Sequence, residues 1–201
     1  MNELTIRLLK IEDAESIAEA FSVQGWDKPA SQYVRYFEEM QVGTRVVWVA
    51  EWDGWFAGYV TLVWESGYPP FRERKIPEIV DLNVLQTFQR RGIASALMDA
   101  AEQKAAERSL IVGLGVGLTA DYGNAQRMYI KRGYVFDGKG ISQNGKFLRY
   151  GDQIQVDDDL VLCLTKPVTP HRAEKSVTET ATSDPKFQSK LKSIQEMLEN
   201  L

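Results

Sequence analysis

The pattern of apolar and polar positions at the start of the chain predicts one strand followed by two helices. Residues 4–8 alternate as a half-buried strand does. Residues 12–21 instead repeat their apolar side chains at helical spacing. A second helix is expected to start at Pro29, which suits a first helical turn, and to end at Gly43.

The rest of the chain mixes strands and helices. Asp53-Gly54 separates two runs rich in β-branched and aromatic residues, a strong signal for a hairpin. The segment 66–75 contains Pro69-Pro70 and is expected to be a loop. The predicted strands are 45–51, 55–64, 76–85, 110–118, 134–136 and 160–165, and the predicted helices are 91–108 and 124–132, the second ended by Gly133.

The resulting order, β-α-α-β-β-β-α-β-α-β-β, predicts an α/β (α+β) domain with helices on both faces of a mixed sheet. After residue 166 the chain is rich in Thr, Ser, Pro and charged residues, which is typical of a linker. Apolar side chains then recur in steps of four and three, at Phe187, Leu191, Ile194, Leu198 and Leu201. We therefore predict a domain at 1–166, a linker at 167–184 and an amphipathic helix at 185–201. This helix is expected either to dock on its own domain or to form a homodimer.

Charge and composition exclude several classes of protein. The net charge of −4 argues against a general nucleic-acid binder, whose surface is usually basic. One cysteine, Cys163, and one histidine, His171, leave no set of ligands for a zinc site of the usual kind and argue against a catalytic Cys–His pair. The N-terminus lacks the build of a signal peptide, and no run is long and apolar enough for a membrane span. The expected location is the cytoplasm.

The segment Gln89-Arg90-Arg91-Gly92-Ile93-Ala94 carries the first chemical signal. It joins a predicted strand to a predicted helix. The first N–H groups of a helix have no internal acceptor and lie at the positive end of the helix dipole. A glycine at this turn lets the backbone approach an anion, and the arginines add positive charge. The segment therefore predicts a pyrophosphate-binding site.

Together with its neighbours this segment resembles the GNAT superfamily of acyl-CoA-dependent N-acetyltransferases. Gln89, Gly92 and Ala94 satisfy the superfamily's motif Gln/Arg-x-x-Gly-x-Gly/Ala, and residues 125–134 are similar to its Ala-x-x-x-Tyr-x-x-x-Gly-Phe element. The resemblance covers residues 4–166 and is strongest over 76–136. It implies a mostly antiparallel central sheet and acetyl-CoA as the acyl donor. The cofactor-binding residues that it implies are Leu82 and Val84, whose backbone would bond the pantetheine arm, together with Gln89, Arg90, Arg91, Gly92, Ile93, Ala94 and Asn124.

The resemblance also implies catalytic residues. Glu78 stands fourteen residues before Gly92, where some GNAT enzymes carry a general base, and Asp81 and Asp121 are rival candidates. Strand alternation would place Glu78 on the face of Leu82 and Val84, with Asp81 on the opposite face, unless a bulge intervenes. Tyr129 matches the tyrosine that protonates the departing thiolate. Because a phenol and a thiol have neighbouring pKa values, that proton transfer is not expected to be steep. The alternative interpretations are an ordinary strand-end acid for Glu78 and a core aromatic for Tyr129.

Two features depart from the family pattern. Tyr122 stands where an Asn often precedes the Ala of the second element, so Asn124 would supply the polar contact from a shifted position or would cap the helix. Gly113, Gly115 and Gly117 leave one face of a predicted strand bare, either for the pantetheine arm or for packing. A dinucleotide-binding fingerprint fits poorly, because Leu118 stands where its third glycine should be.

These observations predict an N-acetyltransferase that moves an acetyl group from acetyl-CoA to a small primary amine by direct attack in a ternary complex. The alternative is a non-catalytic acyl-CoA-binding sensor or partner-binding module, which would need the anion site but neither Glu78 nor Tyr129. A wall for the acceptor is suggested by the aromatic residues Trp26, Tyr33, Tyr36, Trp64 and Tyr68, which could equally be packing residues. No partnership with nucleic acid or membrane is expected.

Overall fold

The computed structural model describes residues 3–169 and the single positions 189 and 192. Residues 3–169 form eight strands and five helices, joined in part by 3-10 turns at Gln86–Phe88 and Ala120–Tyr122. The elements in chain order are β1 (Leu4–Leu8), α1 (Asp13–Val23), α2 (Ala30–Gln41), β2 (Arg45–Trp52), β3 (Trp55–Val63), α3 (Pro69–Glu73), β4 (Glu78–Val84), α4 (Ile93–Ala105), β5 (Ile111–Gly117), α5 (Gly123–Lys131), β6 (Val135–Gln143), β7 (Lys146–Phe147) and β8 (Leu160–Pro167).

All eight strands belong to one sheet with the order β1-β2-β3-β4-β5-β8-β6-β7. Every neighbouring pair is antiparallel except β4 and β5, which are parallel. This arrangement confirms the predicted mixed, mostly antiparallel sheet. The parallel pair requires a crossover, and α4 supplies it by carrying the chain from the end of β4 back to the start of β5.

Helices cover both faces of the sheet. On one face α4 buries Ile93, Leu97, Met98 and Ala101 against apolar residues of β2, β3 and β5, and α5 adds Tyr129 to the same cluster. On the other face α1 and α2 cover Val47, Val49 and Tyr59. A smaller cluster places Phe71 of α3 against Ile111 and Cys163. Burial on both faces explains why the central strands have near-continuous apolar runs.

Three local predictions were wrong. The segment 66–75 is not only loop, because Pro69 and Pro70 start the short helix α3, which buries Phe71. The strand predicted at 134–136 continues to Gln143 and turns back into β7, a hairpin that its polar sequence concealed. Pro29 precedes α2 as its N-cap and does not lie in its first turn.

The predicted linker at 167–184 and the amphipathic helix at 185–201 lie outside the described residues, apart from the first positions of the linker and positions 189 and 192. The domain boundaries and the homodimer therefore stay predictions.

Candidate active site

A slot opens between the two parallel strands. Each is seven residues long, but they are in register at only two pairs, Glu78 with Gly113 and Ile79 with Leu114. Beyond these pairs β4 stays paired with β3, while β5 stays paired with β8 along its whole length. The second half of β4 therefore has an open edge toward β5. An unpaired strand edge can take an extended ligand as an additional strand-like partner.

The backbone of Val84 is directed into this slot. The amide of Leu85 donates to the carbonyl of Ala57 in β3 at 2.9 Å. Successive peptide groups of a strand point to opposite sides, so the N–H and C=O of Val84 point away from β3 and toward the open edge. The Gln89 side chain, which donates to the Val84 carbonyl at 3.4 Å, already uses that edge.

A β-bulge in β4 changes which side chains share a face. Thr61 of β3 pairs with Val80, but Tyr59, two residues earlier in β3, pairs with Asn83, three residues later in β4. The register therefore shifts by one residue. Asp81, at the extra position, has a left-handed φ of 52°. The bulge that the sequence left open is therefore present, and simple strand alternation does not hold across β4. Glu78 lies opposite Val63, on the face of α2, whereas Leu82 and Val84 pack toward α4.

The bulge therefore places Asp81 on the face of Glu78. Its carboxylate accepts a short hydrogen bond from the hydroxyl of Tyr36 in α2. Asp121, the other rival base, is exposed and accepts a hydrogen bond from Thr119. Of the three candidate carboxylates, the two on β4 are close to the slot and share one face, and Asp121 follows the far end of β5.

Glu78 lies in a poorly solvated position. The hydroxyl of Ser66 donates to its Oε2 at 2.6 Å. Burial raises the pKa of the Glu78 carboxyl, and the Ser66 hydrogen bond opposes part of that rise. A carboxylate with a raised pKa is a stronger base, which suits it to receive a proton from an amine. Sequence reasoning did not identify Ser66, because no motif marks it. The only local signal is the turn in which its Oγ accepts from the amide of Tyr68.

The anion-binding segment has the conformation that its sequence indicates. Gly92 is the N-cap of α4 with a left-handed φ of 82°, and Arg90 is also left-handed with a φ of 61°. The first helical bond is donated by Ala96 to the carbonyl of Gly92, so the preceding N–H groups have no acceptor within the helix. Within residues 3–169 no side chain caps this end of α4, and no acidic residue lies in its first turn. These amides are free to bind an anion.

The two arginines of this segment differ. Arg90 and Arg91 are both exposed. The Arg91 guanidinium lies 5.2 Å from the centre of the Trp52 ring and 5.5 Å from that of Phe88, which fixes its position by cation–π contacts. We therefore expect Arg91 to be the more pre-organised of the two positive charges.

Tyr129 lies on α5, where it is 7% exposed and packs edge-on against Tyr134. Burial, with a smaller contribution from Tyr122, raises the pKa of the Tyr129 phenol above its usual value. The difference in pKa between this phenol and a thiol is thus larger than the sequence indicated, and proton transfer from the phenol to a thiolate is correspondingly more uphill. The phenol stays protonated at neutral pH, as a proton donor requires.

Asn124 is exposed in the first turn of α5. The N-cap of this helix is Tyr122, and no side chain caps it, so the capping interpretation of Asn124 was wrong. The Tyr122 ring lies against Gly117, where a Cβ would come within 2.6 Å of its Cδ2.

The bare glycine face is filled by the protein's own side chains. A Cβ on Gly113 would collide with the Phe71 ring, and one on Gly115 would make ordinary contact with Val161 at 3.5 Å. Of the two interpretations of these glycines, the contacts at Gly113 and Gly117 favour packing.

The predicted aromatic wall does not form one surface. Tyr33 and Tyr36 are buried between α2 and the sheet, with 1% and 5% exposure. Trp64 packs with the α4 cluster on the other face, where the Arg108 guanidinium lies 4.1 Å from its ring centre. Tyr68 is buried beside Phe71, and Trp26 stacks on Phe21. These residues are mainly packing residues.

A mixed sheet with an opened parallel pair, next to an uncapped helix start, defines a domain that binds an extended, anionic ligand such as an acyl-CoA. The model of the acetyltransferase (GNAT) family matches residues 11–134. The chain belongs to the GNAT family of acetyltransferases. No curated protein matches it in sequence.

Solved structures of acetyltransferases share the fold. An N-acetyltransferase from Staphylococcus aureus Mu50 is 17% identical, with a TM-score of 0.61 over 82% of this chain and 98% of that one. A putative acetyltransferase from Salmonella typhimurium, solved with acetyl-CoA, is 16% identical, with a TM-score of 0.61 over 87% and 99%. An N-acetyltransferase from Thermoplasma acidophilum, solved with coenzyme A, is 14% identical, with a TM-score of 0.58 over 82% and 99%.

Two kinds of feature are absent from the part of the chain that the structure describes. None of its helices is long and apolar enough to span a membrane. It also contains no group of three or more His, Cys, Asp or Glu side chains that could hold a metal ion.

Proposed function

We propose that this protein transfers the acetyl group of acetyl-CoA to a small primary amine by direct attack in a ternary complex. The observation that carries the proposal is the slot between β4 and β5, which leads to the uncapped start of α4. The open edge of β4 at Leu82 and Val84 suits the pantetheine arm. The segment 89–94 suits the pyrophosphate through the amides that follow Gln89, whose own N–H donates to the carbonyl of Gln86, and the Arg90 and Arg91 side chains lie beside them. Asn124, at the exposed start of α5, is proposed to contact the same ligand.

The donor is activated by the backbone. The amide of Val84 points into the slot, where it would hydrogen-bond the thioester oxygen and stabilise the negative charge that develops there. Such a donor is fixed by the strand and needs no reorganisation during the reaction. The N–H groups of the loop would hold the rest of the coenzyme in register.

The acceptor needs a base. An aliphatic amine with a pKa near 10.4 costs about 4–5 kcal/mol to deprotonate at pH 7. Glu78 is proposed to take this proton, directly or through a water molecule, because its desolvated carboxyl has a raised pKa. Its partly buried position favours a slim amine over a bulky one. Asp81, on the same face, is the rival base.

The leaving group needs an acid. As the amine nitrogen bonds to the carbonyl carbon, the carbon–sulfur bond breaks, the thiolate takes a proton from Tyr129, and the second proton that the nitrogen loses returns through solvent to the Tyr129 phenolate. Tyr129 is proposed for this role because its phenol remains protonated at neutral pH and lies on α5, which follows the far end of β5. The products are the acetylated amine and coenzyme A.

Release of coenzyme A from acetyl-CoA tests the proposal. The purified protein is assayed with polyamines, amino sugars, amino acids and short peptides, and acetyl-CoA binding is measured by calorimetry in parallel. We expect saturable release with at least one small amine and intersecting double-reciprocal plots. Parallel plots would refute direct attack. Tight binding without turnover across the panel would instead support the acyl-CoA sensor.

The working location is proposed to be the cytoplasm. The only cysteine, Cys163, is buried and unpaired, which suits a reducing compartment.

A further inference from the structure

Four residues form a continuous hydrogen-bonded chain from β6 to β4, with the backbone amide of Tyr68 as one of its links. Asp137 of β6 accepts a hydrogen bond at 2.8 Å from the hydroxyl of Tyr68. The amide of Tyr68 donates to Ser66 Oγ at 2.9 Å, and Ser66 Oγ donates to Glu78 Oε2 at 2.6 Å. Asp137, Ser66 and Tyr68 are 2%, 1% and 6% exposed. Polar groups this deeply buried are costly unless they are paired, so their arrangement is fixed.

The direction of the Ser66 hydroxyl follows from its partners. Because Oγ already accepts from the amide of Tyr68, its proton must be donated elsewhere. The acceptors within reach are Glu78 Oε2 at 2.6 Å and the carbonyl of Tyr68 at 3.5 Å. The shorter bond, to a carboxylate, is the stronger one. Ser66 therefore donates to Glu78, and Oε2 is occupied.

The far end of the chain is anchored firmly. One oxygen of Asp137 accepts from Tyr68, and the other accepts from the amide of Lys139 at 3.0 Å. The Tyr68 ring packs edge-on against Phe71 and Phe147, with centroid distances of 4.9 and 5.8 Å. The segment that carries Ser66 is thus tied to β6 and β7.

We infer that Ser66 is a positioning residue for the base. It holds Glu78 by Oε2 and leaves Oε1 to receive the proton of the acceptor amine. Tyr68 and Asp137 in turn fix Ser66 in place. This inference rests on the proposed role of Glu78. Ser66 itself contacts neither the acceptor nor the coenzyme in this arrangement.

The surroundings of Glu78 predict the direction in which its pKa changes when the Ser66 hydroxyl is removed. Ser66 from the loop is hydrogen-bonded to Glu78, and Cys163 from β8 lies close enough for the charges of Glu78 and Asp137 to act on its thiol. Burial raises the pKa of the Glu78 carboxyl, and the Ser66 hydrogen bond lowers it by stabilising the charged form. Loss of the Ser66 hydroxyl must therefore raise this pKa further.

The test is the pH dependence of kcat/KM for S66A, S66T and S142A. Ser142 is the matched control, because it is also a buried serine and bonds to Cys163 but not to Glu78. The rising limb in S66A is expected about one pH unit higher than in the wild type, since a hydrogen bond to a charged group is lost. S66T keeps the hydroxyl, so its rising limb should lie at the wild-type pH. S142A should also leave the rising limb at the wild-type pH. An unshifted limb in S66A would overturn the inference.

A second measurement separates this inference from the role of Glu78 as base. The carboxyl carbon of Glu78 is titrated by NMR in the wild type and in S66A, with E78Q to assign the signal. An upward shift of the Glu78 pKa in S66A would support the Ser66–Glu78 interaction. If E78Q nevertheless keeps the rising limb of the pH–rate profile, Glu78 is refuted as the base. No shift in the titration refutes the role of Ser66 whichever group is the base. If S66A does not fold, S66C, with its weaker donor, is expected to give a smaller shift of the same sign.

Discussion

Replacement of Gly113 by alanine tests why one face of β5 carries no side chains. An added Cβ would lie within 2.6 Å of Phe71 Cζ and closer still to Cε2. Phe71 is 1% exposed and packs edge-on against Tyr68, so its ring cannot swing into solvent. Gly113 has no positive φ, and the alanine therefore adds volume without backbone strain.

Gly115 provides a matched control two residues along the same strand and on the same face. There the new Cβ would be 3.5 Å from Val161, which is ordinary van der Waals contact. Both substitutions reduce the entropy of the unfolded chain and gain about 0.4–1 kcal/mol. Only G113A overfills a packed site, which costs about 1–3 kcal/mol. The difference between the two variants isolates the overpacking at Phe71, since the unfolded-state term cancels.

Urea unfolding followed by tryptophan fluorescence measures this difference. We expect G115A to be at least as stable as the wild type and G113A to be less stable than G115A by about 1–3 kcal/mol, with equal m-values. Equal midpoints for the two variants would show that Phe71 can move away at no cost, and would remove packing as the reason for the glycine at 113.

Three other predictions concern the site and the stability of the fold. Y129F should lower kcat by about a hundredfold or more and leave acetyl-CoA affinity nearly unchanged, because only the proton donor is lost; steady-state kinetics and calorimetry check this, and an unchanged kcat removes Tyr129 as the acid. E78Q should flatten the rising limb of the pH–rate profile. Since burial raises the folded-state pKa of Glu78, its contribution to stability is lost as pH rises through that pKa, so E78Q should also unfold at higher urea than the wild type at neutral pH. E102A removes the carboxylate that Arg132 and Lys166 share at 2.9 and 2.6 Å, and it should lower the free energy of unfolding in urea by about 1–3 kcal/mol. E107A breaks an exposed ion pair with Lys104 and should lower it by about 0.5 kcal/mol or less. Similar losses in the two variants would show that the shared carboxylate stabilises the fold no more than a surface ion pair does.

The elements with strong periodicity could be predicted from the sequence. The hairpin at Asp53-Gly54 and the helix after Gly92 depend on local patterns and turn chemistry, and the structure has both. The β6–β7 hairpin could not be predicted in this way. Its residues are largely polar and exposed, so neither alternation nor burial marks the strand, and its pairing with β8 depends on a distant segment.

The candidate site also combines a part that local sequence determines with a part that depends on distant segments. The segment Gln89–Ala94 is local, because a glycine that starts a helix presents free amides whatever surrounds it. The face on which Glu78 and Asp81 lie is not local. It depends on one extra residue in β4 relative to β3, next to Gly58, where a Cβ would collide with the carbonyl of Asn83. The partners Ser66 and Tyr36 come from other elements, and their contacts required the whole fold.

The sequence by itself determined the donor. The glycine, glutamine and arginines before α4, together with the tyrosine of α5 and the glycine that follows this helix, sufficed to indicate an acyl-CoA site, because helix starts and turns obey short-range rules. Only the tertiary structure decided how far β4 and β5 part, which carboxylates share a face, and what holds Glu78. Those features depend on strand register and on side chains brought together from β6, α2 and the loop before α3, which no short-range pattern specifies.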